Sequence, residues 1–243
     1  MRASPAGSVA RPFSVRSRPL AAVLVAATAL AVCGPAALAQ SDDGAGRFRA
    51  QFWAEVEPVS DVGDPWPVPP EERARRLLDE AAWVYSGMIW GFSFSYTPYD
   101  KVRGIAERFD LASLGSLKAG DPRLELGRTR TEAGMTRAFV TYRPSPDEER
   151  RVSTYAEDPW QSSQGIGHAD YLLGWKAHRA SFEDGLREAV RSYLRMVVPN
   201  KPRRVLGRVV FERAPVLSIA DGVYASQVRV RIEVLEVMPY EVY

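Results

Sequence analysis

The sequence predicts an α+β protein in which a mixed or mainly antiparallel sheet is covered on one face by two main amphipathic helices. Apolar residues recur at three- and four-residue spacing after Pro70 and again after Ser181, which indicates the helices. Near the C-terminus, apolar and polar residues alternate from Val228 to Val234, and Asp221-Gly222 is a strong hairpin signal. This alternation indicates a sheet with one buried face and one wet face.

Residues 1–39 are predicted to form a secretory signal peptide. A basic region without acidic residues precedes an apolar run from Leu20 to Val32. That run is shorter than the roughly 18 to 20 apolar residues that a spanning helix needs. Ala37-Leu38-Ala39 supplies the small-x-small pattern of a cleavage site, so cleavage is expected after Ala39.

Lipidation of Cys33 is the alternative, because Leu30-Ala31-Val32-Cys33 resembles a bacterial lipobox. We therefore expect an exported protein, periplasmic or extracellular, with lipoprotein anchoring as the alternative. Membrane association is expected only through a lipid anchor at Cys33.

The charge of the mature chain argues against nucleic-acid binding. The full chain has 32 basic and 30 acidic side chains, and residues 1–39 contain four Arg and no acid. Removing them leaves 28 basic against 30 acidic side chains, a net charge near −2. Such a chain lacks the cationic excess typical of nucleic-acid partners. Since Cys33 is the sole cysteine, no intramolecular disulfide is expected.

The mature chain is predicted to contain an extended leader, residues 40–69, and a single α+β domain, residues 70–243. The leader ends in Asp64-Pro65-Trp66-Pro67-Val68-Pro69. Closely spaced prolines exclude helix and disfavour interior strand. The alternative is that this stretch is a docking peptide for a partner.

The first helix is predicted to run from Pro70 to about Tyr85 and to lead directly into an aromatic strand within residues 86–98. Alternate residues of the strand would share one face, and these are Met88, Trp90, Phe92, Phe94 and Tyr96. We expect this face to pack against the helix. If it were exposed, it would be a platform for a sugar ring, a lipid or a partner chain.

The remaining elements are predicted from turns, caps and periodicity. They are a short helix after Thr97-Pro98, a hairpin of 124–130 with 135–142, a helix from the capping box Ser145–Glu148 to Tyr155, a short strand 171–175, a helix capped by Ser181, and strands 205–211, 216–220 and 223–237, the last with a bulge near Leu235.

The stretch 158–168 has neither helical nor strand periodicity and is predicted to be a functional or mobile loop. The candidate catalytic residues are Ser163 and His168 of this stretch and Asp170 just after it, with Ser162 as an alternative nucleophile. No Gly-x-Ser-x-Gly elbow accompanies them. Gly165-Ile166-Gly167 is interpreted as a flexible turn, and the alternative is that its backbone N–H groups bind an anion.

Three tryptophans, Trp90, Trp160 and Trp175, are the candidate binding residues, because indole rings stack on sugars and also fill cores. Pairs of carboxylates near them, such as Glu157 with Asp158 or Asp170, are candidates for glycoside cleavage. The two histidines lack the spacing of a metal motif, so neither a metal nor a cofactor is expected.

The leading functional hypothesis is a non-catalytic exported protein of the cell envelope that has a binding or structural role, with an envelope protein or a glycan as partner. A hydrolase acting on cell-wall or glycan material through the 158–170 loop is the first alternative. A structural subunit that self-assembles through an exposed strand edge, such as the strand after Val223, is the second.

Overall fold

The computed structural model describes residues 46–58, 66–198 and 200–240. The predicted signal peptide, the cleavage site after Ala39 and the lipid anchor at Cys33 lie outside the described residues. The helices are α1 (Pro70–Ile89), α2 (Pro146–Thr154) and α3 (Lys176–Val197), and a single 3₁₀ turn (Tyr171–Leu173) precedes α3. Within these ranges no helix is both long enough and apolar enough to cross a bilayer.

Ten strands accompany these helices in the described part of the chain. They are β1 (Phe48–Glu55), β2 (Phe92–Thr97), β3 (Arg108–Ser113), β4 (Leu124–Leu126), β5 (Arg130–Glu132), β6 (Met135–Tyr142), β7 (Gln161–Asp170), β8 (Arg204–Phe211), β9 (Val216–Ala220) and β10 (Val223–Met238).

The strands form two antiparallel sheets. In the four-stranded sheet, β6 is central, with β1 on one side and β4 and β5 on the other. In the six-stranded sheet, the order is β3-β2-β8-β10-β7, and β9 also pairs with β10. The α+β class and the antiparallel pairing predicted from the sequence are confirmed.

Helix α1 lies between the two sheets, which explains why its C-terminal half is buried on all sides. Toward the four-stranded sheet, the Tyr85 hydroxyl donates to the Val140 carbonyl at 2.6 Å. Toward the six-stranded sheet, Trp83 packs against Phe92 and Phe211. One continuous core therefore joins both sheets through α1.

Helix α3 covers β7 and β10 on the same side of the six-stranded sheet as α1, and the stacked rings of Trp83 and Phe182 join the two helices. Its backbone approaches β7 so closely that only glycine fits at two strand positions. A Cβ on Gly165 would overlap the backbone of Gly185 and Ala189, and one on Gly167 the backbone of Ser181 and Gly185. The two glycines therefore set the helix-to-strand distance.

Several local predictions are confirmed. The capping box is present, with Ser145 accepting from the Glu148 amide and the Glu148 side chain accepting from the Ser145 amide. Val228, Val230 and Ile232 of β10 are buried. The register of β10 against β8 shifts between Val234 and Glu236, where a bulge was predicted.

Part of the predicted leader, residues 48–55, belongs to the folded core. These residues form β1, which pairs with β6 over eight positions and buries Ala50, Phe52 and Ala54 against α1. A domain that begins at residue 70, as predicted, would therefore exclude β1, although β1 is a core strand of the four-stranded sheet.

The end of the first helix and the start of the aromatic strand are also corrected. Ser86 and Gly87 do not end α1. The Ser86 hydroxyl donates a hydrogen bond to the Ala82 carbonyl within the helix, and the Phe211 ring packs against Gly87, where a Cβ would overlap it. The helix ends at Ile89, Trp90 is its C-cap residue, and Gly91 follows with φ +70°. Of the predicted aromatic face, Phe92, Phe94 and Tyr96 are buried in β2 as expected, and Met88 is buried in the helix instead.

The helix predicted after Thr97-Pro98 is wrong. Residues 98–105 form a turn closed by a bridge between Asp100 and Ile105. The Asp100 carboxylate accepts from the amides of Val102 and Arg103. These local bonds compete with helical ones, and the chain continues into β3 instead.

Two assignments around α3 are wrong as well. The helix begins at Lys176, so Ser181 is interior, and its hydroxyl donates to the His178 carbonyl rather than capping the helix. The stretch predicted as a short strand at 171–175 begins with the 3₁₀ turn. The predicted 158–168 loop is mostly strand β7, whose glycines concealed the alternation expected of a strand.

Candidate functional site

A pocket of about 450 Å³ lies beneath α2. Its inner wall consists of core side chains from α1 and β8, namely Met88, Val210 and Phe211. Val152 and the residues just after α2 form the outer wall. The volume falls in the range of roughly 300–1,000 Å³ typical of small-molecule sites, which are mostly apolar. We call this cavity the α2 pocket.

The pocket exists because α2 is fixed at both ends while none of its residues is buried. At the N-terminal end, Glu148 accepts from the Tyr142 hydroxyl at 3.0 Å and from Arg123 at 2.8 Å. Beyond the C-terminal end, the Tyr155 hydroxyl donates to the Ile89 carbonyl at 2.8 Å. The helix is thus held across the body as a strap, and the space under it is left open.

The electrostatics of the N-terminal anchor favour its charged form. Burial raises the pKa of Glu148, but the Ser145 amide, the Tyr142 hydroxyl and the Arg123 guanidinium outweigh burial and lower the pKa overall. Burial, and then the bond to Glu148, raises the pKa of Tyr142, so its hydroxyl remains a donor.

Charged side chains surround the pocket. Arg47 and Glu149 lie on one part of the lining, and Glu212 and Arg231 on another. Glu212 is shared, because it accepts from Arg229 at 3.0 Å and from Arg231 at 3.4 Å. With one carboxylate for two guanidinium groups, this corner has a positive excess.

Trp160, a predicted binding residue, lies beside this pocket. Its ring contacts Tyr155, a lining residue, edge to face with the centroids 4.7 Å apart. Trp90 is the C-cap residue of α1 and is half-buried, and a Cβ on Gly115 would lie 2.5 Å from its indole ring. Trp175 lies beyond the opposite end of β7 from Trp160. The three tryptophans therefore do not form one surface.

Trp175 belongs to a second cluster, centred on His178. Nδ1 of this histidine lies 2.8 Å from Oε2 of Glu80, and both side chains are buried. Rings of Trp53, Trp175 and Tyr224 surround the imidazole with centroids 4.4–4.8 Å away. The cluster joins β1, α1, α3 and β10. With only 2% of His178 exposed, these contacts serve packing and hydrogen bonding.

The structure does not bring the candidate catalytic residues together. Ser163 lies on the α3 side of β7, and its hydroxyl donates to the Ala189 carbonyl at 2.9 Å. His168 lies five residues along the strand, on the opposite face and about 16 Å away by strand rise. Asp170 accepts from the Leu172 amide, which holds the 3₁₀ turn.

The other candidates are similarly dispersed. Ser162 donates to Glu212 at 3.0 Å. Asp158 lies just before β7 and Asp170 is the last residue of β7. The strand between them spans about 30 Å by strand rise, which exceeds the carboxylate separations of glycosidases, at most about 9.5 Å. Glu157 lies in an exposed turn. Among the described residues, no group of three or more His, Cys, Asp or Glu side chains is placed to hold a metal ion.

Sequence reasoning missed the α2 pocket because its walls come from five separate segments. Arg231, for example, is one of the alternating polar residues between Val228 and Val234, which the sequence places on the wet face of a sheet. The capping box at Ser145 was the one local signal, since it correctly located the helix that forms the outer wall.

The fold and the pocket define a class of two-sheet α+β proteins with a central helix and an apolar cavity beneath a surface helix. A protein-family model that carries no functional description matches residues 33–240. This match spans well over half of the chain, so the chain belongs to that family.

A relative described as an uncharacterized protein, from Treponema pallidum (strain Nichols), is similar to the chain. It is 26% identical over 196 residues, which cover 79% of this chain and 81% of the relative. No solved structure matches the chain significantly.

Proposed function

We propose that this protein is a non-catalytic, exported binding protein of the cell envelope that holds a small amphipathic anion in the α2 pocket. The observation that supports the proposal is the apolar inner wall, where Met88, Val210 and Phe211 of the core line an open cavity of about 450 Å³. Burying an apolar ligand body there removes its surface from water, at roughly 25 cal/mol per Å² of buried apolar surface.

The charged lining indicates the head group. Arg231 shares Glu212 with Arg229, so its guanidinium is only partly neutralised. A carboxylate or phosphate beside Arg231 would complete its pairing and gain a charge-assisted hydrogen bond. The ligand class is therefore an acyl chain with an anionic head.

The polar groups of the pocket support binding rather than catalysis. Ser153, a hydroxyl of the lining, donates to the Arg150 carbonyl at 2.8 Å and has no basic side chain as partner in the described contacts. The Tyr155 hydroxyl is engaged by the Ile89 carbonyl. Neither group is arranged as an activated nucleophile.

The test is calorimetric titration of the mature chain, residues 40–243, with decanoate and with decanol. Decanoate is expected to bind. Arg231→Met is expected to weaken the binding of decanoate by about 10- to 100-fold and to leave the binding of decanol nearly unchanged. That range corresponds to the loss of a hydrogen bond to a charged group.

A steric variant provides the second test. Ala156→Trp, at an exposed position of the lining, should fill the cavity and abolish the binding of both ligands. Ala106→Trp is the matched control, because Ala106 is exposed and does not line the pocket. If neither ligand binds, or if Ala156→Trp binds both as the wild type does, the proposal is wrong.

A further inference from the structure

Three chain segments meet at the end of the molecule where β8 begins. They are the turn 98–105, residues 195–198 and 200–204 around the C-terminus of α3, and residues 236–240 at the end of β10. The Lys201 ammonium donates to the Tyr99 carbonyl at 3.0 Å, and the Arg103 guanidinium lies 4.3 Å from the centre of the Tyr240 ring. The Arg203 amide donates to the Met238 carbonyl. We call the surface of these segments the basic end.

The basic end is strongly cationic in a chain whose mature form is slightly acidic. Its described residues include two carboxylates, Asp100 and Glu236, against six cations. All six cations are exposed, and they are Lys101, Arg103, Arg195, Lys201, Arg203 and Arg204. The excess of four positive charges here contrasts with the net charge near −2 of residues 40–243. The charge of the molecule is therefore polarised.

Large apolar side chains are exposed among these cations. Val102 is 95% exposed and Met196 is 75% exposed. Tyr99, Val197 and Val237 are also exposed. Apolar side chains grouped with cations on one surface are the composition of an interfacial membrane-binding site.

Val102 is presented by an ordered turn. The buried Asp100 carboxylate accepts from the Val102 and Arg103 amides at 3.0 and 3.2 Å, and the Asp100–Ile105 bridge closes the turn. The bond from the Arg103 guanidinium, at 2.6 Å, is the main cause that lowers the pKa of Asp100. The turn thus holds an apolar tip in solvent without needing to be ordered on binding.

We infer that the basic end binds the surface of an anionic lipid bilayer. Lysine and arginine side chains would pair with lipid phosphates, while Val102 and Met196 enter the boundary between head groups and acyl chains. This site is separate from the α2 pocket, which lies near Phe211 at the other end of β8. It also requires no lipid anchor at Cys33.

The exposed apolar side chains favour a bilayer over a nucleic acid as the partner. Phosphate pairing alone would suit either one. A bilayer receives Val102 and Met196 in its acyl region, whereas a nucleic acid can receive apolar side chains only by unstacking its bases.

The test is co-sedimentation of the mature chain, residues 40–243, with vesicles of equal parts phosphatidylglycerol and phosphatidylcholine. Binding is expected to weaken as salt is raised and to be lost on vesicles of phosphatidylcholine alone. Each cation near an anionic surface strengthens partitioning about fivefold. The double variant Arg203→Glu with Arg204→Glu should therefore bind at least about 25-fold more weakly.

Matched variants separate this surface from general charge and hydrophobicity. Val102→Asp should reduce binding several-fold, whereas Leu172→Asp, at another exposed apolar position, should not. Arg128→Glu with Arg130→Glu reverses two exposed cations outside the basic end and should change binding far less. Circular dichroism of each variant establishes that it is folded.

Three outcomes would overturn the inference. The first is the absence of binding to anionic vesicles, and the second is equal loss in the two double arginine variants. The third is binding of a labelled single-stranded oligonucleotide that is as strong in Val102→Asp as in the wild type, while anionic vesicles are not bound.

Discussion

At the scale of single residues, the glycines of β7 show how a sequence pattern changes meaning in three dimensions. Gly165 and Gly167 were interpreted as a flexible turn, although they lie in a strand with an unbroken ten-residue register against β10. Their missing side chains let the α3 backbone approach the sheet directly. The residues that hid the strand from periodicity are therefore the residues that position its covering helix.

Gly167→Ala is expected to destabilise the protein by about 3 kcal/mol or more. The added methyl would overlap backbone atoms of Ser181 and Gly185, which cannot rotate away as a side chain can, so α3 must shift. Urea unfolding followed by circular dichroism measures the loss.

Gly120→Ala is the matched control, because no atom lies within 4 Å of a Cβ there. It should change the free energy of unfolding by less than about 1 kcal/mol. Equal stability of the Gly167 and Gly120 variants would contradict the tight packing of α3 on β7.

At the scale of elements, α2 is held by its ends rather than by an apolar face. The capping box is legible in the sequence, because Ser145, a proline and Glu148 follow one another at fixed spacing. The hydrogen bonds of Glu148 with Tyr142 and Arg123 cannot be predicted from the sequence in the same way, because Arg123 lies 25 residues away in the chain. The sequence therefore predicted the helix, and the fold determined what it covers.

Glu148→Gln is expected to lower the free energy of unfolding near pH 7 by about 1–2 kcal/mol, since it weakens charged hydrogen bonds at the cap. The folded-state pKa of Glu148 is lowered. Its contribution is thus present above the unfolded pKa, about 4.3, and is lost as the pH falls through the folded pKa.

The difference in the free energy of unfolding between the wild type and Glu148→Gln should accordingly become smaller as the pH is lowered toward about 3. Urea unfolding at both pH values measures it. Glu149→Gln, an exposed carboxylate in the same first turn, is the control and should cost only a few tenths of a kcal/mol. A pH-independent difference for Glu148→Gln would contradict its role as an ionised anchor.

At the scale of the whole molecule, β1 makes the two sheets one unit. It pairs with β6 and packs Phe52 against Tyr85 of the central helix. Trp53 on the same strand contacts His178 of α3. A strand from the predicted leader thus contacts both main helices.

A chain that starts at Pro70 is therefore expected not to fold cooperatively. A chain that starts at Gly46 retains β1 and is expected to fold cooperatively. Removing β1 uncovers Tyr85 and Val140 and leaves one side of β6 without hydrogen-bond partners. Thermal unfolding followed by near-ultraviolet circular dichroism distinguishes the two. A sharp transition in the shorter chain would contradict the placement of β1 in the core.

The sequence by itself determined the α+β class, the three helices with their ends within about five residues, and the hairpins of the C-terminal half. These features depend on local periodicity, caps and turn residues, which act over a few positions of the chain. Where a local signal conflicted with tertiary packing, packing determined the secondary structure. Gly87 lies inside a helix and Gly167 inside a strand, although both were interpreted as breaks or turns.

The tertiary structure alone decided the second sheet, the α2 pocket and the basic end. Each depends on residues that are far apart in the chain, such as Phe48 with Phe211 or Tyr99 with Lys201. Contacts of that kind leave no period in the sequence, because they are fixed only when the whole chain buries its apolar surface. The predicted catalytic set illustrates the converse, since Ser163 and His168 are close in sequence but lie on opposite faces of one strand.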